Sequence, residues 1–136
     1  MVRSRPYPSA EQKPQQPTVL VVEDEILIRT AVAEYLRISG YVVVEAADAA
    51  EAITVFEAGE PIDVVLCDVD MPGIMNGLSL ARWINRHHPA LPVLLTSGHG
   101  IPIAAGKKPA EPFIAKPYRL EELAERLKLM LAARPR

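Results

Sequence analysis

Polar side chains that could handle a phosphate follow the apolar segments of this 136-residue chain. Glu23 and Asp24 come after the first apolar segment, and Asp68 comes after a later one. Thr96 and Lys116 stand at the ends of two further segments. Clustered carboxylates repel one another unless protons or a metal ion neutralise them. Mg²⁺ prefers such oxygen ligands and commonly takes a phosphate as well, so these residue types predict a site for a hard cation and a phosphate.

Asp68 is the candidate nucleophile of this site, because a carboxylate directly after an apolar strand needs a partner or a metal. It could attack a phosphoryl group and form an acyl phosphate. Lys116 would supply positive charge, and the Thr96 hydroxyl could donate to a phosphoryl oxygen. Each residue also has an ordinary explanation, since Asp24 could cap a helix and Thr96 is common in strands. The prediction therefore depends on all of them meeting at one place.

The elements that must position these residues alternate along the chain. Apolar runs predict strands at 18–22, 41–45, 62–67, 92–95 and 113–115, and helical spacing predicts helices at 25–39, 49–58, 78–87 and 119–132. Such alternation predicts an α/β fold with a parallel sheet and helices on both faces. Ligands bind at the carboxyl ends of such strands, where the five polar residues would meet.

Two segments depart from this regular pattern. Residues 1–17 are rich in Pro and Gln, and we expect a disordered tail before an ordered domain at 18–133. The segment 98–112 is rich in Gly and Pro. The alternating pattern calls for a fourth helix here, between the fourth and fifth strands. We expect that helix to be short or irregular, and this segment to be the loosest part of the domain.

The composition excludes several classes of function. Hydrophobic residues make up 49% of the chain and charged residues 24%, with a net charge of −2. We expect no direct nucleic-acid or membrane binding from this balance. The single cysteine, Cys67, and the lack of an apolar leader predict a cytoplasmic protein.

At these motifs the sequence resembles the receiver domain of two-component response regulators, including the single-domain chemotaxis type. The matching residues are the Glu23-Asp24 pair, Asp68 in Cys-Asp-Val-Asp-Met-Pro-Gly, Thr96 in Leu-Leu-Thr-Ser-Gly and Lys116 in Ala-Lys-Pro-Tyr. The resemblance spans about residues 18–132. It implies a flavodoxin-like, doubly wound sheet of five parallel strands in the order 2-1-3-4-5.

The resemblance also implies a ligand set and a phosphoacceptor. Glu23, Asp24 and Asp68 would bind Mg²⁺ together with the backbone carbonyl of Asp70. Asp68 would accept a phosphoryl group from a histidine kinase or a phosphotransfer protein. Such a protein is a signalling phosphoacceptor, limited to its own phosphorylation and slow autodephosphorylation, rather than an enzyme.

The same resemblance implies a switch next to the site. Thr96 would contact the phosphoryl group with Lys116, and Phe113 matches the aromatic residue that changes rotamer as the threonine moves. Simple core packing is an equal alternative for Phe113. The resemblance further implies a cis peptide bond between Lys116 and Pro117, an isomer available almost only to proline.

The working unit is expected to be small. The chain ends at Arg136, soon after the last predicted helix, so we expect a stand-alone regulator or an excised fragment. It would act as a monomer or weak homodimer and switch the binding of a downstream protein target. Ile26 and Leu27, at the start of the first helix, are candidates for docking to the kinase, with core packing as the alternative.

Two other functions fit parts of the sequence. The Asp68-Val-Asp70 spacing resembles the nucleophile motif of haloacid-dehalogenase-type phosphatases, but Pro72 stands where that motif has Thr or Val. A pseudo-receiver would have the same fold and serve only as a binding module. The complete acidic set and the lysine argue against that alternative.

Overall fold

The structure, a computed structural model, describes residues 16–98 and 112–134 of the chain. Its elements in chain order are β1 (Thr18–Val22), α1 (Ile26–Ile38), β2 (Val42–Ala46), α2 (Ala49–Glu57), β3 (Val64–Asp68), α3 (Gly77–His87), β4 (Val93–Ser97), β5 (Phe113–Ala115) and α4 (Leu120–Ala133). The predicted tail and the predicted irregular helix fall almost entirely outside the described residues. Within those residues, no helix has both the length and the apolar character that crossing a membrane requires.

The five strands form one parallel sheet in the order β2-β1-β3-β4-β5. This order confirms the predicted flavodoxin-like, doubly wound fold. Strand order reverses at β1, which pairs with β2 on one side and with β3 on the other. In such sheets the crevice at the carboxyl ends of the strands near this reversal is the usual ligand site.

Successive residues of β1 belong to opposite faces of the sheet, and both faces are buried. Val19 and Val21 pack into one apolar cluster, to which α1 and α4 contribute residues such as Leu36 and Leu123. Leu20 and Val22 pack into a second cluster with residues from α2 and α3. This arrangement explains why the strand reads as a continuous apolar run rather than as an alternating one.

The structure corrects the suggestion that Asp24 caps the first helix. Helix α1 begins with Glu25 as its N-cap, and the Glu25 side chain makes no cap hydrogen bond. Side-chain caps occur instead at Asp48 for α2 and at Asn76 for α3. The Asp24 carboxylate therefore has no capping role.

Strands β3 and β4 differ from their predicted bounds by two residues. Strand β3 begins at Val64 instead of 62, and its predecessor Asp63 accepts hydrogen bonds from Thr18 N at 2.8 Å and from Arg134 Nη1 at 2.8 Å. Strand β4 continues to Ser97 instead of 95, because Lys116 N donates to the Ser97 carbonyl at 3.0 Å. In the structure, Asp68 is the last residue of β3, and Thr96 lies within β4.

Candidate functional site

The predicted site residues meet at the carboxyl edge of the sheet. Glu23 directly follows β1, Asp68 is the last residue of β3, and Lys116 directly follows β5. The register of β3 and β4 places Asp68 opposite Thr96. Asp68, Thr96 and Glu23 also line one small internal cavity of about 10 Å³. The fold thus brings together residues that lie far apart in the sequence.

Three carboxylates form a compact acidic cluster at this edge. One oxygen from each of Glu23, Asp24 and Asp68 lies within 4.8 Å of the others. Glu23 and Asp68 are only 4% and 3% exposed, whereas Asp24 is exposed to solvent. Oxygen donors at this spacing, with one side open, suit a hard cation that keeps several of its waters.

Lys116 supplies the positive charge that faces the cluster. Its Nζ lies 3.1 Å from Glu23 Oε1 and 3.3 Å from Asp68 Oδ2, and the side chain is 19% exposed. Burial acts to lower the pKa of this ammonium, but the hydrogen bond to Glu23 and the negative charge of Asp68 prevail and raise it. The lysine therefore stays charged beside the two buried carboxylates.

The Glu23 carboxyl lies in surroundings that disfavour its charged form. Burial raises its pKa, although hydrogen bonds from Glu25 N and Lys116 and the lysine's charge act in the opposite direction. The charge of Asp68 adds to the increase. A divalent cation beside these carboxylates would favour their charged forms.

The backbone around Asp68 is held closely. Asp70 N donates a hydrogen bond to Asp68 Oδ1 at 3.2 Å, and Gly77 N donates to the Val69 carbonyl at 3.2 Å. Gly77 packs directly on this backbone, because an added Cβ would collide with the Asp68 carbonyl oxygen and lie 2.7 Å from Val69 Cα. These contacts fix the direction in which the Asp68 side chain leaves the strand.

The neighbouring Cys67 is not a second nucleophile. Its thiol is buried, and burial, aided by the charges of Asp68 and Glu23, raises its pKa. A thiol without thiolate character is a poor nucleophile and a poor metal ligand. The chemistry of the site thus belongs to its oxygen and ammonium groups.

Comparison with known proteins identifies the family. The family model described as "Response regulator receiver domain" matches residues 19–128. The chain belongs to this family. Sensor kinase CckA from Brucella abortus (strain 2308) is 38% identical over 118 residues, which make up 84% of this chain and 12% of the kinase. A cyclic di-GMP phosphodiesterase from Thermotoga maritima is 37% identical over 122 residues, 88% of this chain and 32% of that protein.

Solved structures give the same result. The crystal structure of the receiver domain from hybrid histidine kinase CckA has a TM-score of 0.71 and 36% identity, and the match covers 84% of this chain and 98% of that domain. The predicted resemblance is therefore confirmed. The receiver spans less than a third of the length of the two curated relatives named above. Receiver domains are signalling phosphoacceptors of two-component systems.

The predicted switch residues lie on adjacent strands of the receiver. Thr96 is 2% exposed and pairs in register with Ile114, the residue after Phe113. Phe113 is half-buried and, among the described residues, is a member of neither apolar cluster. Its switch role stays a prediction, with core packing as the equal alternative. The predicted cis bond is present at Lys116–Pro117.

A polar link that the sequence did not predict joins the loop after β3 to the end of β4. Asp70 Oδ2 accepts hydrogen bonds from Ser97 Oγ at 3.0 Å and from Gly98 N at 3.3 Å. From the sequence, Asp70 was assigned only a backbone carbonyl toward the metal. The adjacent Thr96-Ser97 hydroxyls and the Asp-Val-Asp spacing were the only signals that could have suggested this link.

An apolar groove lies beside the acidic cluster. Its volume is about 620 Å³, and its walls come from α1, from Gly98 and from the chain between β5 and α4, including Leu27, Ile28, Pro117 and Tyr118. At the start of α1, Ile26 is 63% exposed and Leu27 is 82% exposed. Their exposure confirms the docking candidates as surface residues and excludes core packing for them.

Proposed function

We propose that this receiver accepts a phosphoryl group on Asp68 and thereby switches the binding of a downstream protein. The arrangement of Lys116 supports this role best, since its Nζ lies within 3.3 Å of an Asp68 oxygen in a cluster of three carboxylates. A buried carboxylate, a cation beside it and a hydroxyl opposite it are what phosphoryl transfer needs, because the reaction depends on positioning and charge neutralisation.

The donor is a phosphohistidine of a histidine kinase or of a phosphotransfer protein. An Asp68 carboxylate oxygen forms a bond to phosphorus while the phosphorus–nitrogen bond breaks, and the imidazole nitrogen keeps the electron pair. Lys116 stabilises the negative charge on the phosphoryl oxygens, and the Thr96 hydroxyl donates to one of them. The product is an acyl phosphate on Asp68.

The acidic cluster is suited to Mg²⁺. Glu23, Asp24 and Asp68 would hold the ion with the backbone carbonyl of Asp70, and the open side at Asp24 leaves room for water and phosphate oxygens. When bound, the ion neutralises charge on the acceptor and on the phosphoryl group. The position of the ion would be determined by two buried carboxylates, Glu23 and Asp68, and by the exposed carboxylate of Asp24.

The setting is signalling in the cytoplasm. The free, buried thiol of Cys67 suits a reducing compartment. Apart from its own phosphorylation and slow dephosphorylation, the domain performs no catalysis. Its net charge of −2 supports protein partners rather than nucleic acid.

Acetyl phosphate tests this function without a kinase. We expect the intact chain to gain the mass of one phosphoryl group in the presence of Mg²⁺ and to gain none when the metal is chelated. Turnover of phosphoester substrates would instead favour a phosphatase of the haloacid-dehalogenase type. A chain that neither takes up phosphate nor is stabilised by Mg²⁺ would be a pseudo-receiver, and the proposal would be wrong.

We place the phosphodonor protein on the exposed start of α1 and the groove beside it. Leu27→Ser should slow phosphoryl transfer from a histidine kinase by about tenfold, the loss expected for one apolar anchor of an interface. Uptake from acetyl phosphate should stay unchanged, since Leu27 is 82% exposed and is not one of the three carboxylates of the cluster. Ile38→Ser is a matched control, because Ile38 is 87% exposed at the other end of α1. Equal slowing in both variants would exclude this docking site.

A further inference from the structure

Asp70 occupies a position between the phosphoacceptor and the end of β4. Its backbone N–H donates to Asp68 Oδ1 at 3.2 Å, and its carboxylate accepts hydrogen bonds from Ser97 Oγ at 3.0 Å and Gly98 N at 3.3 Å. One residue thus contacts the acceptor carboxylate through its backbone and the neighbouring strand through its side chain.

The side-chain link continues the pairing of β3 with β4 beyond the strands. Val69 N donates to the Thr96 carbonyl at 2.8 Å. The carboxylate of the next residue, Asp70, accepts hydrogen bonds from the Ser97 hydroxyl and the Gly98 amide. Ser97 is 1% exposed, so its hydroxyl needs an internal partner. The loop that follows Asp68 at the end of β3 is therefore joined to the chain immediately after Thr96.

Ser97 also contacts the backbone of Lys116. Its carbonyl accepts a hydrogen bond from Lys116 N at 3.0 Å, next to the cis peptide bond before Pro117. The hydroxyl of Ser97 is thus fixed by Asp70 while its carbonyl fixes the Lys116 backbone. Displacing Ser97 would move two groups that face Asp68, the Thr96 hydroxyl and the Lys116 ammonium.

We propose that Asp70 is a positioning residue, whose carboxylate holds Ser97 so that Thr96 and Lys116 are aligned with Asp68 for phosphoryl transfer. The effect on transfer depends on the function proposed above, whereas the hydrogen-bond link does not. The link requires an acceptor oxygen at residue 70 and a hydroxyl at residue 97. It does not require a negative charge on residue 70.

Three variants separate this positioning role from an effect of charge on the metal. Asp70→Ala removes both the acceptor and the charge. Ser97→Ala removes the hydroxyl and leaves the charge. Asp70→Asn removes the charge and keeps an oxygen that can accept both hydrogen bonds. Ser39→Ala is a matched control, because its hydroxyl donates one hydrogen bond to the Tyr35 carbonyl at the far end of α1.

The first measurement is amide hydrogen exchange at Gly98 by NMR, without any phosphodonor. Loss of one hydrogen bond should accelerate exchange about fivefold in Asp70→Ala. Exchange in Asp70→Asn and in Ser39→Ala should stay within about twofold of the wild type. An unprotected Gly98 amide in the wild type would overturn the link, whether or not the chain accepts phosphate.

The second measurement is the rate of phosphorylation by acetyl phosphate at saturating Mg²⁺. Asp70→Ala and Ser97→Ala should be slowed alike, by about three- to tenfold, because misaligned groups lose part of their contribution. Asp70→Asn should be slowed less than Asp70→Ala, because its amide oxygen keeps both hydrogen bonds. Equal slowing of Asp70→Asn and Asp70→Ala, with an unaffected Ser97→Ala, would assign the effect to charge and overturn the positioning role. No uptake by the wild type would contradict the proposed function, and the exchange data would still decide the link.

Discussion

Asp68→Asn is expected to abolish phosphoryl uptake from acetyl phosphate, slowing it by about 10³-fold or more. The side chain of asparagine has nearly the same shape, but its amide is neutral and is not a nucleophile. The variant also removes one of the two carboxylates that face Lys116 at 3.1 and 3.3 Å. Uptake measured by intact-mass spectrometry, with Mg²⁺ present, gives the rate directly.

A control variant separates this effect from a general loss of charge. Asp48→Asn removes a carboxylate that caps α2 by accepting a hydrogen bond from Glu51 N at 2.8 Å. Asparagine caps helices about as well as aspartate, so this variant should stay folded and be phosphorylated like the wild type. Persistent uptake in Asp68→Asn would show that another residue accepts the phosphoryl group.

Gly77→Ala is expected to reduce both stability and phosphorylation. Alanine is favoured over glycine within a helix by about 1 kcal/mol, so propensity alone would predict stabilisation at the first residue of α3. The added Cβ, however, would collide with the Asp68 carbonyl oxygen and lie 2.8 Å from the Asp68 carbonyl carbon. Such overpacking typically costs about 1–3 kcal/mol, and here it bears on the backbone of the acceptor itself.

Urea unfolding and acetyl phosphate uptake measure the two effects of Gly77→Ala. The free energy of unfolding should fall by about 2 kcal/mol, and uptake should slow by about tenfold to a hundredfold as Asp68 shifts. Gly98→Ala is the matched control, since no atom of the described residues lies within 4 Å of the Cβ it would add. Unchanged stability and unchanged uptake in Gly77→Ala would contradict this prediction. Such a result would mean that α3 shifts to accommodate the added methyl group without moving Asp68.

The sequence predicted the fold and the meeting of Asp68, Thr96 and Lys116 because strand ends are encoded locally. A β-branched apolar run followed by a polar residue marks a strand end, and parallel topology then places all such ends at one edge. The strand order came from the family resemblance, since composition does not specify which strands are neighbours. The two-residue errors at β3 and β4 arose where side chains or a neighbouring strand decide the boundary.

Other features depended on contacts between distant segments. The Asp70 carboxylate turns toward Ser97, which lies 27 residues later, and no local pattern fixes that direction. The close approach of Gly77 to Asp68 likewise follows from how α3 packs on the end of β3. Asp24 was correctly placed at the edge, but its alternative role as a helix cap was wrong because the chain enters α1 one residue later, at Glu25.

Locating the phosphoryl group on the intact chain tests the central claim most directly. After incubation with acetyl phosphate and Mg²⁺, borohydride reduces an acyl phosphate to an alcohol, so the modified aspartate becomes homoserine and can be identified by peptide mass spectrometry. Homoserine at Asp68 alone is the expected result. Homoserine at Asp24, or a phosphoryl group on another side chain with Asp68 unmodified, would contradict the assignment.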